Sequence, residues 1–165
     1  MQFLIQPNFD RYPDFIVPER ATAQAAGFDL FAQEDMTISS ETRLFDLGFR
    51  ALVPKDHVAV ILPRSGLGAK FQMQLSNTAG IIDADYTGEW KAALHIGGKG
   101  TLANDTVHYW GGSDPQHYIE VKRGEAFAQV LFLPVPKIEV EITREPLPET
   151  ERGDGGFGST TKARG

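Results

Sequence analysis

Apolar residues in this chain recur at every second position in short runs, and a glycine or proline breaks almost every gap between runs. His57 to Leu62 reads HVAVIL. From Glu89 to Ile96 the residues Trp90, Ala92, Leu94 and Ile96 share one side. Tyr118 to Lys122 sets Ile119 and Val121 opposite Tyr118, Glu120 and Lys122. Ala126 to Val135 is apolar on both faces, as an interior strand is, and Ile138 to Ile142 reads IEVEI, a strict alternation with one wet face. Side chains of a strand point to opposite faces in turn, so a two-residue period commits a segment to a sheet and excludes long amphipathic helices. The breaks fall at Pro18, Gly27, Gly48, Pro54, Pro63, Gly80, Gly88, Gly124 and Pro134. Gly 17 and Pro 10 together make 27 of 165 residues, above the usual share of about 12%. The pattern predicts an all-β sandwich, jelly roll or barrel, with one short helix over Ser65 to Gln72.

A chain of 165 residues is the size of one domain with an ordinary core. We read residues 1–145 as that β domain. Residues 146–165 begin with Pro146 and Pro148, hold almost no apolar side chain beyond Leu147 and Phe157, and are expected to form a mobile arm. Residues 97–116, rich in Gly, Asn, Asp and Ser, read as a long loop or small excursion. The absence of cysteine excludes thiol catalysis, Cys-ligated zinc and disulfides, and fits a reducing compartment. A formal net charge of −6 argues against general nucleic-acid or anionic-membrane binding. No basic segment followed by an apolar stretch opens the chain, and no apolar run approaches the roughly 18 residues of a membrane span. A cytoplasmic protein is expected.

Five segments carry groups suited to chemistry. AAGFDL places Asp29 between apolar neighbours, where a carboxylate needs a partner or a metal. PRSGLGAK follows an apolar strand and offers the Arg64 guanidinium, the Ser65 hydroxyl and backbone N–H groups at Gly66. NTAGIIDADYTGEW reads as a hairpin carrying Asp83 and Asp85 beside Ile81 and Ile82, a source of a general base and of metal-facing charge. GEAFAQ sets Gln129 within a strand. RGDGGFGST joins Arg152, a run of glycines, Phe157, Ser159 and Thr160, a set that can wrap an anion and cover a base, but it lacks the GK[ST] of a Walker loop. Taken singly, each also fits a plain turn, a satisfied strand residue or a flexible tail. His57, His95, His108 and His117 show no close ligand spacing, which argues against a histidine-zinc site or a Ser-His-acid triad.

In this order the five segments resemble the five motifs of the trimeric dUTP diphosphatase (dUTPase) family, over most of the chain from Ala25 to Thr161. The resemblance implies a jelly-roll-like homotrimer with three active sites at subunit boundaries, hydrolysing dUTP to dUMP and pyrophosphate with Mg²⁺. By motif position, Asp83 resembles the carboxylate that activates water. Tyr86 resembles the aromatic under deoxyribose. Asn77, Gly80 and Ile82 resemble the uracil-reading hairpin. Arg64, Ser65, Gly66 and Gln129 resemble phosphate contacts. Asp29 resembles the acid that orients Mg²⁺ through water. Arg152, Phe157, Gly158, Ser159 and Thr160 resemble the tail that closes over γ-phosphate and base.

The sequence departs from the family pattern in three places. Ala126 stands where the fourth motif usually carries a basic residue, and Arg123 is a nearby candidate to replace that charge. Thr161 stands where the fifth motif usually ends in glycine. The segment between the third and fourth motifs is longer than the compact pattern, as in some bacteriophage members. It carries His108, Tyr109 and Trp110, which fit a packed excursion or a protein-partner element. The rivals to this reading are a dCTP deaminase-like enzyme and a trimeric regulatory protein that binds through the insert. The deaminase family's Arg-Ser-Ser run is absent, and the RGDGGFGST tail also argues against it.

Overall fold

The period-two segments become strands with the inward residues the pattern assigns. The computed structural model describes residues 2–97, 108–110 and 116–155. In chain order its elements are β1 (Leu4–Pro7), β2 (Phe28–Phe31), β3 (Met36–Ser39), β4 (Arg43–Leu52), β5 (His57–Pro63), α1 (Ser65–Phe71), β6 (Met73–Leu75), β7 (Gly80–Ile82), β8 (Glu89–Ile96), β9 (His108–Trp110), β10 (Gln116–Val121) and β11 (Ala126–Pro134).

The strands form three antiparallel sheets, ordered β1-β4-β8-β6, β2-β11-β5-β7 and β3-β10-β9. Their inner faces share one core. Trp90, Ala92, Leu94 and Ile96 of β8 are buried with Ala59 and Ile61 of β5 and Phe127, Ala128 and Val130 of β11. Aromatic rings tie the first two sheets together: Phe3 lies 5.5 Å from Trp90 and 4.7 Å from Phe132 between centroids. These contacts add about 0.5–1.5 kcal/mol each beyond the area they bury.

One sequence expectation needs correction, and two further features were not anticipated. Within the segment 97–116, His108–Trp110 forms β9, which pairs with β10 starting at Gln116. Ile138 to Ile142 forms no strand. Ile138, Val140 and Ile142 are 80%, 92% and 91% exposed in the single chain, and among the described residues no strand pairs with them. Strand β4 shows no clean alternation because its pairing with β8 shifts between Asp46 and Arg50. Gly48 sits in that irregularity with φ +82, where a Cβ would meet Gln33 at 2.9 Å and Tyr12 at 3.0 Å. Only glycine satisfies both constraints.

Candidate functional site

Strand β5 organises the site. At its C-terminal end Pro63 leads into Arg64, whose extended backbone (φ −82°, ψ 140°) makes it the N-cap of α1. Its side chain makes no capping bond. The guanidinium instead donates through Nη1 to the Ala126 carbonyl at 3.5 Å and lies 3.6 Å through Nε from the Asp29 carboxylate. Asp29 is held by sheet pairing on both sides. It faces Gln129 across β2–β11, and its N–H donates to the Glu19 carbonyl at 2.7 Å. Gln129 donates through Nε2 to the Pro63 carbonyl at 3.3 Å. Ser65 and Gly66 are exposed in the first turn of α1. Helix α1 stops at Gln72, which takes the left-handed conformation and returns its N–H to Gly68 at 2.8 Å.

Beside this cluster lies an open cavity of about 700 Å³, with Arg64, Ser65, Gly66, Lys70, Glu125 and Ala126 among its walls. The small Ala126 side chain leaves the cavity wide where the family pattern has a cation. Arg123 does not replace it. Its Nε donates to the Gln33 carbonyl at 3.1 Å, its Nη2 to the Asp14 carbonyl at 2.6 Å, and its backbone N–H to Asp35 at 2.9 Å. That backbone hydrogen bond and the Lys122 ammonium hold the Asp35 carboxyl below its ordinary range. Arg123 is therefore a clamp on the N-terminal segment. Arg123→Ala is expected to lower Tm by roughly 3–6 °C, from about 1–2 kcal/mol of lost charged hydrogen bonding. It should leave kcat unchanged, and paired melting and turnover measurements check both.

The second group of site residues sits on β7 and the turns around it. Strand β7 pairs Ile82 with Ala59 and Gly80 with Ile61. A Cβ at Gly80 would lie 3.1 Å from the Ile61 Cβ, so glycine allows this close approach. Asn77 is exposed in the turn entering β7, where Thr78 has φ +69. Asp83 is exposed just beyond β7, and its carbonyl accepts the Tyr86 N–H at 3.1 Å to close a turn. Tyr86 is 44% exposed, and its hydroxyl donates to the Glu89 carbonyl at 3.0 Å. The ring lines a cavity of about 360 Å³ with Ile82, Arg50, Glu89 and Lys91.

The two groups stand apart within one chain. Antiparallel pairing sets Asp83 beside the start of β5, whereas Arg64 follows its end. The separation from Val58 to Arg64 is six residues of extended chain, roughly 20 Å. The structure therefore brings together Asp29, Arg64, Ser65, Gly66 and Gln129 at the end of β5 and sets Ile82, Asp83 and Tyr86 toward its start, while Gly80 pairs with Ile61 between them and Asn77 precedes Gly80 on the Arg64 side. Arg152 lies beyond both on the exposed C-terminal segment, where its Nε donates to the Gly155 carbonyl at 2.9 Å. Phe157, Gly158, Ser159 and Thr160 lie outside the described residues. Sequence reasoning missed Gly88, which packs against Tyr86. The Asp29–Arg64 contact joins residues 35 positions apart, and no local pattern encodes it.

The fold and these groups define a class: an all-β protein with a guanidinium, a hydroxyl and an amide gathered at the end of one strand, and a carboxylate and an aromatic on the turn that leads from β7 in one sheet to β8 in another, not on the paired hairpin the sequence suggested. The dUTPase family model matches residues 14–101 and 113–161. A deoxyuridine 5'-triphosphate nucleotidohydrolase from Nautilia profundicola is 36% identical over 148 residues, covering 89% of this chain and 92% of that protein. Among solved structures, the Staphylococcus bacteriophage 80alpha dUTPase with dUpNHpp superposes with TM-score 0.75 at 22% identity, covering 97% of this chain and 98% of that one. A dUTPase from phage phi11 of S. aureus, described with a structural Mg(II) ion, gives TM-score 0.67 at 18% identity over 88% of this chain and 98% of its own. The chain belongs to the dUTPase family.

Proposed function

We propose that this protein hydrolyses dUTP to dUMP and pyrophosphate, by attack of water on the α-phosphorus. The observation that carries the reading is the presence, in a chain of this family, of a polar cluster suited to anions (Asp29, Arg64, Gln129) together with a turn bearing Asp83 and Tyr86.

Each residue takes a role from its surroundings. Arg64, Ser65, Gly66 and Gln129 bind phosphate oxygens, and the Asp29–Arg64 contact holds the guanidinium in place before substrate arrives. Asn77 and the backbone of Gly80 and Ile82 read uracil. Tyr86 packs under deoxyribose and leaves no room for a ribose 2'-hydroxyl. The Asp83 carboxylate takes a proton from water. The water oxygen then bonds to the α-phosphorus as the bond to the bridging oxygen breaks, and pyrophosphate leaves with that oxygen.

No cluster of three or more metal-ligating side chains occurs among the described residues. This donor set fits Mg²⁺, which commonly keeps several waters and uses one or two carboxylates with substrate phosphates. Asp29 would hold it through water, and the bound ion would neutralise phosphate charge.

The separation of the two groups along β5 supports a homotrimer whose sites lie between copies, so that Asp83 of one chain meets Arg64 of another. Residues 1–145 act as the β domain, and 146–165 as an arm that closes with Arg152, Phe157, Gly158, Ser159 and Thr160 over base and phosphates. The cytoplasm of a bacterium or phage-infected host suits this reading. Among the described residues no helix is long and apolar enough to cross a membrane. Segment 97–116 offers a place for a protein partner alongside catalysis, because β9 ends the order of the third sheet. A pull-down with and without that segment tests this.

The decisive experiment incubates the protein and Mg²⁺ with dUTP, dCTP, dTTP and UTP separately and identifies products. We expect dUMP and pyrophosphate from dUTP, with the others turned over poorly. Conversion of dCTP to dUTP would favour the deaminase rival, and inertness toward dUTP would overturn the proposal.

A further inference from the structure

The Tyr86 ring has a seat, and the seat is a missing side chain. After the turn closed by Tyr86 and Asp83, the chain doubles back into β8, and the ring folds over Gly88. A Cβ at position 88 would lie 2.5 Å from the Tyr86 hydroxyl oxygen, 2.6 Å from Cζ and 3.0 Å from Cε2. The hydroxyl donates to the carbonyl of Glu89, the first residue of β8. That carbonyl is fixed because Glu89 pairs with Arg50 across β4–β8. The ring is thus located by a hydrogen bond to sheet backbone and by close approach to bare backbone at Gly88.

We infer that Gly88 is a positioning residue for sugar selection: it seats the Tyr86 ring, and through that ring it sets the preference for 2'-deoxyribose over ribose. The inference rests on the proposed packing of Tyr86 under the sugar. Gly88 lies outside the positive-φ region, so alanine fits its backbone. The ring is the free end of a side chain and gives way first. Lifted from position 88, the hydroxyl loses its short path to the Glu89 carbonyl. The ring is then no longer held flat, and it can yield to a 2'-hydroxyl. Dense packing has this consequence generally, because a single added methyl displaces whatever filled its volume.

The test measures kcat/KM for dUTP and UTP in the wild-type protein, Gly88→Ala, Tyr86→Ala and the double variant, with a melting curve for each. Gly88→Ala should melt as wild type. Its dUTP/UTP ratio should fall by about tenfold or more, the scale on which pocket shape discriminates one small group, and the loss should appear mainly as a raised KM for dUTP. In the double variant the ratio should equal that of Tyr86→Ala, because without the ring position 88 has nothing to seat. An unchanged ratio in Gly88→Ala, or a further drop in the double variant, would overturn the inference. Failure of Gly88→Ala to fold would overturn it as well, since the ring and not the backbone is the part said to move. If Tyr86→Ala itself leaves the ratio unchanged, or the wild type does not cleave dUTP, the functional reading beneath the inference fails instead.

Discussion

Asp83→Asn is expected to reduce dUTP turnover by about 10²–10⁴-fold, the usual cost of losing a general base. Nucleotide binding and folding should stay close to wild type. An amide has the shape of the carboxylate but cannot accept the proton of the attacking water. The local structure gives reason to expect an intact fold, because Asp83 is exposed and contributes its backbone carbonyl, not its side chain, to the turn that holds Tyr86. Asparagine is as well suited as aspartate to such a turn. Calorimetric titration with a non-hydrolysable dUTP analogue, beside a kcat measurement, separates chemistry from binding. Near-wild-type kcat in this variant would remove Asp83 from the role of base. Lost binding with an intact melt would show that the carboxylate serves mainly as a contact to the sugar or the metal.

The sheet that carries this turn was legible where periodicity is local. The alternation of Glu89 to Ile96 named Trp90, Ala92, Leu94 and Ile96 as one face, and all four are buried. His57 to Leu62 and Ala126 to Val135 correspond to β5 and β11, the two paired strands that carry both ends of the site. Strand β4 was hidden because the pairing shift around Gly48 breaks the two-residue period. The IEVEI segment misled for the opposite reason. Alternation records that one face is meant to be covered, but it does not say by what, and among the described residues Ile138, Val140 and Ile142 stay exposed. The motifs supplied residue types for the site but not their grouping. That Asp29 meets Arg64, and that Asp83 stands at the other end of β5, follow from strand order, which no spacing in the sequence contains. The fate of Arg123 was equally hidden, since its partners at Asp14, Gln33 and Asp35 are about a hundred residues away.

Deleting every residue after Thr150 is expected to cut turnover by roughly 10²-fold or more, if several donors to the transition state leave together. The melt should change little. The three sheets end at Pro134, and none of residues 135–155 belongs to a strand, so among the described residues the deletion takes nothing from the buried core. What it removes are the groups proposed to close over the substrate: the Arg152 guanidinium, the Phe157 ring, the Gly158 backbone and the Ser159 and Thr160 hydroxyls. Among the described residues, the Arg152 guanidinium makes a local bond to the Gly155 carbonyl. A polyphosphate offers a charged acceptor in its place, and charge-assisted bonds are roughly twice as strong as neutral ones. Closure of such an arm also excludes water from the reacting phosphorus, which strengthens every charge interaction inside. The truncated protein should therefore lose kcat more than it loses affinity for a non-hydrolysable analogue, because the donors act most strongly on charge that develops at the transition state. Paired melting, analogue binding and kcat measurements read all three quantities on one preparation. A normal melt with kcat retained would show that the groups at the two ends of β5 suffice without the arm. A collapsed melt would show instead that residues after Thr150 carry structure as well as chemistry.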